Sequence, residues 1–137
     1  MATRYLLDSN ILSDLLKNPQ GKVAQKIFSL PAAERNSLAT SIVVAAELRY
    51  GTTKSGSSIL ATRVDQLLDA LEILPLEPEA DRHYGRIRSE LEKAGTLIGG
   101  NDLLIAAQAI AFGYTIVTDN QKEFARVAGL ALENWLR

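Results

Sequence analysis

Apolar residues in this chain follow two rhythms, short solid runs and stripes at helical spacing, and the two alternate. After Arg4, the run Tyr5-Leu6-Leu7 breaks off into polar Asp8-Ser9-Asn10, as a strand buried on both faces does. Residues 11–16 read as a helical turn or two closed by Asn18-Pro19, and residues 22–30 set Val23, Ile27 and Leu30 at helical spacing before Pro31. Residues 38–41 form a plausible second strand. From Ile42 the β-branched residues favour strand while Ala45-Ala46-Glu47-Leu48-Arg49 favour helix. A strand ending near Ser41 and a helix running to Gly51 reconcile the two. Residues 51–58, rich in Gly, Ser and Thr, read as a short linker. An amphipathic helix over 57–71 follows, then a short strand at Ile73-Leu74 before Pro75 and Pro78. Residues 79–94 place Ala80, Tyr84, Ile87 and Leu91 on one stripe ahead of Gly95. A helix over 102–112 capped by Gly113, a strand over 114–118 and an edge strand over 129–132 complete the series, with Trp135 covering the core. Strands alternating with helices predict a parallel sheet covered by helices, joined by right-handed crossovers.

Length and composition narrow the chemistry. With 137 residues, 47% of them hydrophobic, the chain suits one domain over 1–137 whose core needs neither disulfide nor structural metal. Zero Cys excludes thiolate nucleophiles and sulfur-ligated metals, and a single His excludes His-based zinc sites. A formal charge of −1 is too balanced for grip on nucleic acid by bulk positive field, so any such contact must be local. Asp8 interrupts the first apolar run before a secretory segment can develop, and no run reaches the length of a membrane span, which points to a cytoplasmic protein.

Chemistry concentrates in the acids. Ligand sites of open parallel sheets collect beyond the C-terminal strand ends, where Asp8 and Asp119 fall. Asp102 follows Gly99-Gly100-Asn101 in the first turn of a helix, and Glu47 lies one turn past Val43 in an apolar segment. Singly, each has an ordinary role as a cap, a turn residue or a surface ion-pair partner. Together they would repel one another unless a cation or retained protons sat among them. Oxygen ligands without His or Cys select a hard ion, Mg²⁺ or Mn²⁺, and such a site suits phosphodiester hydrolysis.

Four segments, LLDSNIL, TSIVVAAELRYG, YGRIRSELEKAGTLIGGNDLLIAAQA and VTDNQKEFARVAGLALENW, in this order resemble the PIN-domain ribonucleases, specifically the VapC toxins of toxin–antitoxin pairs. The resemblance spans nearly the whole chain. It implies an α/β/α sandwich on a central parallel sheet, metal-dependent endoribonuclease activity on structured RNA such as transfer RNA, a homodimer, and a small VapB-like antitoxin that blocks the site. By position it makes Asp8, Glu47 and Asp102 the family's acids, with Ser9, Asn10 and Ser41 beside them and Asn101 in the turn that presents Asp102.

The fourth acid is open among Asp119, Asn120 and Glu123. The family register favours the Asn120 position and some members carry Glu before the following Phe, which matches Glu123-Phe124. A hard cation gains more from a carboxylate, which favours Asp119 beside Asp8 and Asp102 as a metal ligand, with Asn120 holding the loop or substrate and Glu123 in reserve. Arg82 and Arg86, four apart on one helix face, are candidate phosphate contacts, while His83 reads as a surface residue. Two rivals with an Asp after the first strand fit less well. A haloacid-dehalogenase-like phosphatase expects Asp where Asn10 stands, and a receiver domain expects a late Lys after a strand. A metal-free RNA- or protein-binding module with a PIN-like fold is the alternative function.

Overall fold

Burial on both faces decides where the strands lie. The computed structural model describes residues 2–137 and contains five strands: β1 (Tyr5–Leu7), β2 (Ala39–Ser41), β3 (Glu72–Leu74), β4 (Thr115–Val117) and β5 (Leu132–Glu133). All pair in parallel, in the order β3-β2-β1-β4-β5, with Leu6 opposite both Ala39 and Ile116. Central β1 and β2 are buried at every position, the pattern of strands covered on both sides, whereas edge strand β5 is half-exposed. Helices flank the sheet as an α/β/α sandwich: α1 (Ser9–Lys17), α2 (Lys22–Ser29), α3 (Ala32–Arg35), α4 (Ile42–Ser55), α5 (Ser58–Asp69), α6 (Ala80–Lys93), α7 (Gly100–Phe112) and α8 (Gln121–Phe124).

The main core lies around Leu6, Leu7, Ile11, Ile105, Ile116 and Val117, all fully enclosed. Trp135 closes one end, edge-on to Tyr5 with ring centroids 5.0 Å apart. A smaller cluster of Ala45, Val64 and Leu68 fastens α5 onto α4. Among the described residues no helix is long and apolar enough to cross a membrane.

The segment after Ser41 folds as helix despite its three β-branched residues because the Ser41 hydroxyl accepts the Val43 N–H at 3.0 Å and caps α4. That helix does not stop at Gly51. It runs through most of the expected linker to Ser55 and ends at Gly56, whose φ of 69° supplies the left-handed cap. An exposed interior glycine costs about 1 kcal/mol, which packing of α4 on α5 offsets. The short helices α3 and α8 carry too few residues to show periodicity in sequence. Phe124, fully buried, anchors α8 with roughly 2–3 kcal/mol of burial. The last strand is shifted, because Gly129 forms a turn with φ 80° and pairing waits until Leu132.

Sheet order sets the position of the site. From β1 the chain builds outward through β2 to β3, then crosses back to lay β4 on the other side of β1. The C-terminal ends of β1 and β4 therefore border the crevice where open α/β sheets bind ligands.

Candidate active site

Asp8 stands at that crevice and is only 3% exposed. One carboxylate oxygen accepts the Ser9 N–H at 2.8 Å and so caps α1, while the other accepts the Thr118 hydroxyl at 2.8 Å. Capping and site placement thus coincide in one residue. Asn10 braces the pair: its amide lies 3.5 Å from Asp8 and 3.4 Å from Thr118, and its carbonyl oxygen accepts the Asp119 N–H at 3.0 Å. Burial raises the Asp8 pKa despite the hydrogen bonds from Thr118 and Ser9 that favour its charged form.

Asp102 projects from the first turn of α7. Its pKa is pushed up to about 7, first by burial, then by a hydrogen bond with Glu123, then by the charges of Asp8, Glu123 and Glu47. The Asn120 amide spans the pair, 3.3 Å from Asp102 and 2.8 Å from Glu123. The Glu123 pKa is lowered, first by Asn120 and then by Asp102, so the two neighbouring acids are shifted in opposite directions.

Glu47 faces the group from α4. Burial and the Asp8 charge raise its pKa, Asn101 counteracts part of that rise, and its Oε1 is buried without a hydrogen-bond partner. Cavities open on both sides of it. One of about 360 Å³ lies among Ser9, Ser13, Leu16, Leu48 and Leu60, and the other, about 480 Å³, among Ile42, Tyr50, Leu76, Asn101 and Leu104.

The structure therefore gathers Asp8, Glu47, Asp102 and Glu123, with Ser9, Asn10, Asn101 and Asn120 around them. Asp119 is not brought to this group. Its carboxylate turns outward, accepting from Asn134 at 3.0 Å and Arg137 at 3.2 Å, and these partners lower its pKa. β4 ends at Val117 and the chain bends at Asp119, which leaves Asn120 facing the acids and the Asp119 carboxylate facing away. The Ser41 side chain is committed to α4 and to a hydrogen bond it donates to Gln108, leaving no free hydroxyl for the site. Arg86 is held by Glu90 and His83, and among the described residues no hydrogen bond or ion pair ties Arg82 or Arg86 to the acids.

Two contributors escape sequence reasoning. Thr118, fully buried, holds Asp8 and also accepts the Asn120 N–H at 2.9 Å. The signal was a hydroxyl ending an apolar strand directly before Asp-Asn. Gln108, also fully buried, donates to the carbonyls of Leu74 and Pro75 at 3.2 Å each and accepts from Ser41, pinning α7 to β2 and β3. A polar residue among the alanines of an apolar helix was its only trace.

Among the described residues no three His, Cys, Asp or Glu side chains form a ready-made metal cage. The donor set nevertheless suits a hard cation, being all carboxylate, mutually repelling and holding one buried oxygen without a partner.

Comparison with known proteins agrees with the fold. The PIN domain matches residues 5–130. Ribonuclease VapC2 of Rickettsia felis is 41% identical over 96% of this chain and 97% of its own. A tRNA(fMet)-specific endonuclease VapC of Salmonella typhimurium is 33% identical over 96% and 98%. The crystal structure of VapBC2 from Rickettsia felis bound to a DNA fragment from its promoter contains a chain that superposes with TM-score 0.87 at 39% identity, covering 97% of this chain and 99% of that one. With its central parallel sheet, its acids at the β1/β4 crevice and these relatives along nearly its full length, the chain belongs to the PIN-domain family, among the VapC-type ribonuclease toxins of toxin–antitoxin systems.

Proposed function

We propose that residues 1–137 form one divalent-metal-dependent endoribonuclease domain that hydrolyses phosphodiester bonds in structured RNA such as transfer RNA. The observation that carries this reading is the convergence of Asp8, Glu47, Asp102 and Glu123, close enough that the charge of Asp8 raises the pKa of Glu47 and the charges of all three others raise that of Asp102. Asp8 and Asp102 would hold Mg²⁺ or Mn²⁺, with Glu123 in place of Asp119 as the third carboxylate. When bound, the ion supplies Lewis acidity toward the scissile phosphate and neutralises charge that develops there.

The protein's own groups do the rest. Thr118 and Asn10 keep Asp8 in one rotamer, and Asn120 orients Asp102 and Glu123 toward each other. Glu47, with its raised pKa and partnerless oxygen, accepts the proton of the attacking water, and Asn101 holds it in place. Asp102 and Glu123 would hold the ion as carboxylates, and the raised pKa of Asp102 makes that holding weaker as pH falls.

The site works in the cytoplasm within a homodimer and is blocked by a small VapB-like antitoxin. Its segment lies in the apolar groove of Ser9, Leu16, Leu48 and Leu60 and offers Arg or Lys to the acids in place of metal. Sequencing of RNA ends after incubating total RNA with purified protein in Mn²⁺ tests activity and substrate together. Loss of cleavage in Asp8→Asn and Asp102→Asn variants that still fold is expected, and full activity in Asp8→Asn would overturn the assignment. Light scattering tests the dimer, and co-purification from the expressed operon tests the antitoxin.

A further inference from the structure

A protein of net charge −1 whose site is a knot of carboxylates needs local positive charge to hold RNA. The face of α2 that points to solvent carries it. Lys22, Gln25, Lys26 and Ser29 are all exposed and fall on one side of the helix at i, i+3, i+4 and i+7. Segment 133–137 faces them across a cleft of about 530 Å³, to which Asn134 and Arg137 contribute. Lys22 also walls a second cleft of about 600 Å³ together with Lys17, Asn18 and Gln20, so the two adjoin at that residue. Lys17 in turn lines the groove that contains Ser9 and Glu47.

Charge along this path is unequally engaged. Asp14 accepts from Asn18 at 2.8 Å with its other oxygen buried, Glu133 accepts from Trp135 at 3.0 Å, and Asp119 is paired with Arg137 at 3.2 Å. Among the described residues the ammonium groups of Lys17, Lys22 and Lys26 make no ion pair and no hydrogen bond, whereas Arg49, Arg86, Arg88 and Arg137 are all paired. The path also reaches the site through hydrogen bonds, because Asn134 and Arg137 hold Asp119, whose N–H donates to Asn10 beside Asp8.

We propose that Lys17, Lys22 and Lys26, with Gln20, Gln25 and Asn134, form a phosphate track that holds the RNA backbone flanking the scissile bond. The track rests on the endoribonuclease reading and specifies the surface by which that substrate is gripped. Lysine is suited to it as a mobile point charge for phosphate, giving grip without reading sequence.

Fluorescence anisotropy of a labelled single-stranded RNA oligonucleotide in EDTA, over a salt series, tests this on the whole protein. The Lys17→Gln/Lys22→Gln/Lys26→Gln variant should bind about 10-fold more weakly or worse, and its slope of log affinity against log salt should shrink by about 2. The matching triple Arg variant should restore both. With Mn²⁺ the Lys22→Gln/Lys26→Gln variant, which leaves Lys17 in the groove beside Glu47 untouched, should show a raised KM for RNA and unchanged hydrolysis of bis(p-nitrophenyl) phosphate. Equal RNA affinity and slope in wild type and the triple Gln variant would overturn the track. So would lysine-dependent binding of a polyglutamate peptide as tight as that of RNA, which would make this face a dock for an acidic protein. Wild-type protein that binds no RNA at low salt also overturns the track, and it overturns the endoribonuclease reading only if Mn²⁺ elicits no cleavage either.

Discussion

In metal-free buffer Asp102→Asn should stabilise the protein at neutral pH, by a margin that grows as pH rises. The unfolded Asp102 loses its proton near its ordinary value of 3.8, whereas the folded one keeps it to about 7. Between those values the native state binds more protons than the unfolded state, so stability falls as pH climbs through this window and the loss is complete above about 7. At roughly 1.4 kcal/mol per unit, a shift of this size is worth about 4 kcal/mol at full weight, and solvent screening of a half-buried carboxyl reduces it to about 1–2 kcal/mol. The amide in Asp102→Asn copies the protonated acid: its oxygen can still accept from Asn120 and its nitrogen can donate to Glu123. Melting curves in EDTA from pH 5 to 8 should show little difference between the proteins at pH 5 and a gain of about 4–8 °C for the variant at pH 8. A wild-type slope will partly persist in the variant because Asp8 and Glu47 are raised as well. Curves that coincide at pH 8, or a gap that widens on acidification, would refute the account of a carboxylate held against its neighbours.

Cleavage should stop in EDTA, resume with Mn²⁺, and leave 5′-phosphate and 3′-hydroxyl ends. End-labelling that finds 2′,3′-cyclic phosphate would instead indicate attack by the RNA itself. Glu123→Gln should weaken Mn²⁺ binding by 10-fold or more in calorimetry while Asp119→Asn leaves it within about 2-fold. The reverse order would restore Asp119 as the third ligand. Thr118→Val removes the hydrogen bond that favours charged Asp8, and a loss of about 10-fold in Mn²⁺ affinity is expected, with Thr118→Ser close to wild type. Gln108→Leu leaves the Leu74 and Pro75 carbonyls and the Ser41 hydroxyl without their partner, a cost of about 2–4 kcal/mol in urea titration, and retained stability would show that water replaces it.

The alternation of apolar runs and helical stripes was enough to read the order of the larger elements, because buried parallel strands and amphipathic helices leave different periods in sequence. It failed where length or tertiary context decided. A four-residue helix such as α8 has no period to show, and α4 passes through Gly51 because packing on α5 outweighs one glycine. Acids at strand ends and at a helix start were legible as a group, since Asp8, Glu47 and Asp102 each stood at an apolar boundary. Asp119 against Glu123 was a question of direction. Charge favoured the first, but the turn after Thr118 points it at Asn134 and Arg137, residues that no local pattern connects to it. Thr118 and Gln108 were hidden for the same reason, their partners lying 110 and 67 positions away.

The bond between Thr118 and Asp8 also governs when the enzyme can exist. Its donor is synthesised 110 positions after its acceptor, and β1 lacks one of its two neighbours until β4 has been made. A chain made only as far as α7 therefore holds Asp8, Glu47 and Asp102 beside an unfinished sheet, without Thr118, Asn120 and Glu123. Such non-local closure is slow and all-or-none compared with helix formation. The bonds that fix Asp8 and Asp102 in the crevice are consequently completed only when β4 and α8 dock against β1.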